Sequence, residues 1–115
     1  MKPAVLLAMA LIGLADEAPA ADVYAGLYMD GSRLHDMCGS QRQVVSGYVA
    51  GAADALSMVD QLLKRKPTLC IPANLNTIDL SDLLCKYVND HPEMRQYSSA
   101  ALAVIAIQDV FPCGR

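Results

Sequence analysis

The chain has 115 residues, of which 54% are hydrophobic and 18% charged, and its formal net charge at pH 7 is −3. Nucleic acids and anionic membrane surfaces favour partners with an excess of Lys and Arg, so this charge argues against both. The length fits a single domain. Because the chain has no Trp and one Phe, its core must consist mainly of Leu, Val, Ile, Ala and Met.

The N-terminus predicts a cleaved secretory signal peptide over residues 1–20. Lys2 is followed by an apolar run from Ala4 to Ala15 and then by the small-residue segment Ala18-Pro19-Ala20, with the cut on either side of Ala21. The apolar run is too short to cross a bilayer, for which about 20 apolar residues are needed. We therefore expect export without a membrane anchor.

Four cysteines, Cys38, Cys70, Cys85 and Cys113, lie in the predicted mature domain of residues 21–115. An even number in a small exported domain predicts two disulfides. The four cysteines allow three pairings. None of their spacings is the Cys-x-x-Cys pattern of a zinc or redox site, so we expect structural bridges.

Apolar residues recur with a helical period, and no stretch alternates long enough to predict a sheet. We therefore expect an all-α fold, a small disulfide-stapled bundle of about four helices. The first helix follows the turn Asp30-Gly31-Ser32, with Ser32 as its N-cap, and ends at Gly39. The second and longest helix spans about residues 41–63, and its predicted polar side includes Ser46 and Asp60. Its predicted apolar stripe comprises Val44, Val45, Tyr48, Ala52, Ala55, Val59 and Leu62.

An exposed polar loop, Lys64-Arg65-Lys66-Pro67-Thr68, follows the long helix. Thr77 is the predicted N-cap of a third helix, which ends before His91-Pro92 because proline disfavours the α conformation in the residue before it. Ser98 is the predicted N-cap of a fourth helix, from Ser99 to Phe111. That helix is apolar almost all round, so we expect it at the centre of the bundle.

Gly47 and Gly51 stand one turn apart on the long helix, with Tyr48 between them and Asp54 along the same stripe. A glycine inside a helix costs about 1 kcal/mol relative to alanine. We expect close packing of another backbone to offset this cost, with Asp54 bonded to a neighbouring helix end. A catalytic role for Asp54 would need a second carboxylate or a His nearby, and the sequence offers neither.

No group of residues predicts catalysis, a metal site or a cofactor. His35 and His91 share no helix face with another ligand type. A nucleophile built from Cys85 and His91 would need a free thiol, which conflicts with two disulfides. The run Lys64 to Lys66 is compatible with a solvated loop, but exposed loops on a rigid scaffold also carry recognition residues.

Five short motifs occur in order across nearly the whole predicted domain. They are Leu34…Cys38, Gly47-Tyr48-Val49-Ala50-Gly51-Ala52-Ala53-Asp54, Cys70-Ile71-Pro72, Tyr87-Val88…His91-Pro92-Glu93 and Phe111-Pro112-Cys113. In this order and spacing the chain resembles the Rap/Tai immunity proteins of type VI secretion.

The resemblance implies a small periplasmic protein, often dimeric, that binds a peptidoglycan amidase effector and obstructs its active-site cleft. Such a protein is an inhibitor and not an enzyme. Its contact surface would include Lys64, Arg65 and Lys66 of the exposed loop, or His91 and Glu93 of the turn before the fourth helix. The alternative is a periplasmic acid-stress chaperone or envelope assembly factor of similar shape.

The resemblance also implies a disulfide pairing. Cys70 and Cys113 match cysteines that the family retains, and they would form one bridge, worth about 4 kcal/mol in the chain-entropy model. Family members usually carry another cysteine just before the Gly-Tyr pair, where this chain has Val45-Ser46, and lack one at the position of Cys85. Cys38 would then pair with Cys85.

Overall fold

The computed structural model describes residues 28–114. These residues form four α-helices and one 3-10 turn, and their only extended pairing is an isolated antiparallel bridge between Asp30 and Ser98. The prediction of an all-α bundle is confirmed. No helix among these residues is long and apolar enough to cross a membrane. The predicted signal peptide, residues 1–20, lies outside the described part. The elements are α1 (Gly31–Ser40), α2 (Arg42–Leu62), α3 (Thr77–Asp90), the turn Pro92–Met94 and α4 (Ser99–Val110).

Side-chain caps fix where three of the helices begin. Ser98 caps α4, as predicted: its hydroxyl oxygen accepts a hydrogen bond from the backbone N–H of Ala101 at 3.1 Å. The predicted N-caps of α1 and α3, Ser32 and Thr77, were wrong. The cap of α1 is Asp30 instead of Ser32, and the cap of α3 is Asn76, which forms a reciprocal capping box with Asp79. In both helices the cap residue precedes the first helical residue, and its side chain accepts a hydrogen bond from a backbone N–H of the first turn.

The core lies where the four helices meet, with α3 packed against the other three. The largest fully buried apolar side chains are Leu34, Val45, Val49, Leu84, Val88, Leu102 and Ile107. The expectation of a central α4 was wrong in part, because only one face of α4 is buried and both Ile105 and Val110 are exposed. A bundle this small cannot surround an apolar helix on every side.

The buried face of α2 differs from the predicted stripe. Val45 and Val49 are fully buried, but Val44 is 51% exposed and Leu62 is 72% exposed. Ser46 and Asp60, both predicted on the polar side, are buried instead. The face of α2 that contacts α3 and the core is therefore rotated from the predicted face. Because of this rotation, several apolar residues of α2 are exposed to solvent.

Two disulfides crosslink the domain. Cys38 of α1 is bonded to Cys85 of α3, and Cys70 is bonded to Cys113 beyond the end of α4. This is the pairing that the resemblance implied. The bridged residues are separated by 47 and 43 positions, so each disulfide constrains a large loop of the unfolded chain.

Candidate partner-binding surface

The loop after α2 begins with a tight helix end. Lys64 has a φ of 51°, in the left-handed region, and its N–H donates to the carbonyl of Gln61 at 3.1 Å. The N–H of Arg65 donates to the carbonyl of Asp60 at 3.0 Å. These two bonds form a Schellman motif, in which glycine usually occupies the position of Lys64. The motif directs the chain away from α2 within two residues.

A buried carboxylate holds this loop in place. Asp60 is 4% exposed. It accepts hydrogen bonds from the backbone N–H and the hydroxyl of Thr68, at 2.7 and 2.9 Å, and from Nε of Arg65. The Thr68 N–H and, next, the Arg65 guanidinium hold the pKa of Asp60 below its ordinary value. The carboxylate therefore stays ionised and fixes both sides of the loop, while Lys64 and Lys66 stay exposed.

The far side of the loop is fastened to the C-terminal half of α4. The carbonyl of Thr68 accepts a hydrogen bond from Nε2 of Gln108 at 3.0 Å and lies 3.5 Å from Sγ of Cys113. Cys113 in turn is bonded to Cys70, two residues after Thr68. The predicted recognition loop is thus exposed but anchored at several points.

The second predicted binding segment follows α3. The His91 ring stacks on Tyr87 with 4.3 Å between ring centroids, and its Nδ1 lies 3.1 Å from a carboxylate oxygen of Glu93. The Glu93 backbone and the His91 ring lower the pKa of the Glu93 carboxyl. Pro92 opens the 3-10 turn that brings these two side chains together.

Both predicted segments lie beside the C-terminal half of α4. Gln108 holds the loop at Thr68, and the next residue, Asp109, lines a cleft of about 130 Å³ together with His91. Lys86 and Asp90 form an ion pair at the same cleft. Sequence patterns did not single out Asp60, Gln108 or Asp109, because their roles depend on residues that only the tertiary fold brings close.

The glycine motif of α2 has a different environment from the one predicted. Tyr48 is half-buried, packs on the core and lies beside the Ala100 backbone, and burial raises its pKa. Gly47, Gly51 and Asp54 are exposed. Apart from the adjacent residues and the nearby backbone of α2 itself, no atom of the described residues lies within 4 Å of a Cβ built on either glycine. The expected close packing against another helix of the same domain was therefore wrong for residues 28–114.

The described residues give no support to the catalytic and metal candidates. The sulfur of Cys85 is bonded to Cys38, so it cannot serve as a thiol nucleophile with His91. Across residues 28–114, no cluster of three His, Cys, Asp or Glu side chains could hold a metal ion.

Comparison with known proteins decides the family. The family model of the Rap1a immunity proteins matches residues 30–113, which is nearly all of the described domain. The chain belongs to this family. No curated protein and no solved structure matches the chain. As an immunity protein against a secreted effector it is not an enzyme, and its function lies in the surface that it presents to a protein partner.

Proposed function

We propose that this immunity protein is exported to the periplasm, binds a peptidoglycan amidase effector of type VI secretion and covers its active-site cleft. The family match carries the proposal, because it spans both disulfides and both predicted binding segments. Two disulfides in a chain of this size fit an oxidising compartment, and the predicted signal peptide provides a route to it.

We propose that the contact surface is the edge formed by the Lys64–Lys66 loop and the His91–Glu93 turn. The Asp60 network holds the first segment, and the Tyr87 stacking orients the second. A surface that is already ordered pays less conformational entropy when it binds. Charged residues around both segments favour an effector surface of complementary charge.

The test is a binding and inhibition assay with a candidate peptidoglycan amidase effector of the organism that carries this gene. The expected result is a stable complex and loss of peptidoglycan cleavage when the two proteins are mixed at equal concentration. A hydrolase that stays fully active and unbound would refute the proposed function.

Substitutions in the two segments test the proposed contact surface separately from the proposed function. The double variants Lys64→Glu/Lys66→Glu and His91→Ala/Glu93→Ala should each weaken binding about tenfold or more, the size of a modest hot spot. Arg33→Glu, at an exposed position of α1, is the charge-reversal control and should bind normally. Normal affinity of both double variants would show that another surface contacts the effector.

We also propose that the protein forms a homodimer through the exposed apolar face of α2. This face includes Val44, Gly47, Gly51, Met58 and Leu62, and its two glycines leave room for close approach of a second helix. Exposed apolar patches of this kind mark protein interfaces. Light scattering should give the dimer mass for the wild type and the monomer mass for Gly51→Glu. Gly39→Glu, at an equally open helical position of α1, should remain dimeric.

A further inference from the structure

A small pocket lies between α2 and the Lys64–Lys66 loop. Its volume is about 150 Å³, and a cavity of about this size holds one benzene molecule. α2 contributes Ala53, Ser57 and Gln61 to the lining, and the loop contributes Arg65. Because the loop belongs to the proposed contact surface, the pocket is placed to receive one side chain of a bound protein.

Two kinds of hydrogen-bond donor at this pocket lack an acceptor in the described part of the chain. The Arg65 side chain is 46% exposed, and only its Nε group donates to Asp60, which leaves its two Nη groups available. Ser57 accepts a hydrogen bond from Nε2 of Gln61 at 3.3 Å, and its own O–H has no acceptor there. Both carboxylate oxygens of Asp60 already accept hydrogen bonds from Arg65 and Thr68. The pocket therefore presents mainly donors to a partner.

The charge around the pocket favours a negatively charged group. Lys64, Arg65 and Lys66 give the loop three positive charges. Asp60 is the only carboxylate among the described residues that line the pocket. An ionised carboxylate accepts hydrogen bonds and donates none, and the planar fork of a guanidinium binds both of its oxygens at once. A carboxylate therefore matches both the charge and the donors of this pocket.

We propose that the pocket receives an acidic side chain of the effector, a Glu or an Asp, and that its carboxylate binds the Nη groups of Arg65. The inference rests on the proposed function and adds one specific contact to the proposed surface. Asp60 already holds the guanidinium at Nε, so Arg65 loses less conformational entropy when the partner binds. Arg65 then determines specificity, because an effector with Lys or Arg at this point would meet like charge.

Filling the pocket tests whether it is occupied in the complex. Ala53→Leu enlarges a half-buried side chain of the pocket wall and leaves Arg65 and Asp60 unchanged. Leucine is a good helix former, so α2 should stay intact. The variant should bind a candidate peptidoglycan amidase effector about tenfold or more weakly, because the larger side chain excludes the acidic one. Ala101→Leu, at an exposed position of α4 outside the pocket, is the matched control and should bind like the wild type.

Changing Arg65 tests the chemistry of the contact. Arg65→Lys keeps a positive charge beside Asp60 but removes both Nη groups, and lysine replaces arginine poorly where a carboxylate is bound through both oxygens. Affinity for the effector should fall about tenfold or more, as for other truncated charge pairs that are hydrogen-bonded. Arg33→Lys, at an exposed position of α1, is the matched control and should bind normally. Circular dichroism of the free variants verifies that they are folded under the assay conditions.

Substitutions in the effector identify the acidic side chain. Each exposed Glu or Asp of the effector is changed to Gln or Asn, and its affinity is measured for the wild type and for Arg65→Lys. One substitution should weaken binding to the wild type about tenfold but leave binding to Arg65→Lys nearly unchanged, because residues in contact are energetically coupled. Normal affinity of Ala53→Leu or of Arg65→Lys, or the lack of a coupled acidic residue, would overturn this inference, and inhibition by the wild type would still support the proposed function. A wild type that neither binds nor inhibits the effector would overturn both.

Discussion

Removal of the Cys70–Cys113 disulfide, by Cys70→Ala/Cys113→Ala, should lower the free energy of unfolding by about 4 kcal/mol. The bridged residues are separated by 43 positions, and the chain-entropy relation for a loop of that length gives this value near 25 °C. The same relation gives about 4 kcal/mol for the Cys38–Cys85 bridge, whose separation is 47 positions. A small domain has a total stability of about 5–15 kcal/mol, so either loss is a large fraction of it.

The two double variants should nevertheless differ in where they loosen the native state. Sγ of Cys113 lies 3.5 Å from the Thr68 carbonyl, and Cys70 follows the loop by two residues. Loss of this bridge should therefore speed amide hydrogen exchange over residues 64–68, whereas Cys38→Ala/Cys85→Ala should leave that segment protected relative to the rest of the domain. Urea unfolding provides the stability values, and exchange followed by mass spectrometry provides the local readout.

The outcomes that would refute this reasoning are specific. A loss below about 1 kcal/mol for the Cys70 and Cys113 pair would show that the disulfide barely restricts the unfolded chain. Equal exchange of residues 64–68 in both double variants would show that the Asp60 network alone orders the loop.

Three further perturbations test the loop and a helix cap. Lys64→Gly should stabilise the domain by about 0.5–1 kcal/mol in thermal unfolding, because Lys64 has a φ of 51°, whereas Lys66→Gly should give no gain. Asp60 has a lowered pKa in the folded state, so its contribution to stability is present above its unfolded pKa of about 3.9 and is lost as the pH falls through the folded value. A series of melting temperatures from neutral pH into acid should show this loss in the wild type and a flatter profile in Asp60→Asn, and parallel profiles would contradict the assignment. Asn76→Ala should cost about 1 kcal/mol in urea unfolding and Thr77→Ala much less, and equal costs would reject Asn76 as the cap.

The helices themselves follow from local sequence signals. Ser98 begins α4 as predicted because a serine cap needs only the backbone N–H three residues ahead. The helical period likewise places Leu84 and Val88 on one face of α3, and both are fully buried. The caps at Asp30 and Asn76 were missed because neighbouring Ser and Thr residues match the same pattern.

The orientation of α2 could not be predicted from its own residues. Val44 and Val45 are both good core residues, and only contact with α3 and α4 decides that Val45 is buried and Val44 exposed. Asp60 was assigned to solvent because a carboxylate is costly to bury without partners. Its partners are Arg65 and Thr68, and their position depends on the helix end at Lys64. The candidate binding surface therefore needed the tertiary structure, although its exposed residues were recognisable.

The order of the bonded cysteines along the chain has a consequence for proteolysis. The first bridge joins Cys38 to Cys85 and the second joins Cys70 to Cys113, so the two covalent rings overlap between Cys70 and Cys85. A single peptide-bond cut anywhere from Cys38 to Cys113 leaves at least one bridge across the break. The nicked protein therefore keeps all its helices on one covalent molecule, whereas with sequential bridges, Cys38 to Cys70 and Cys85 to Cys113, a cut between Cys70 and Cys85 would separate the chain into two pieces.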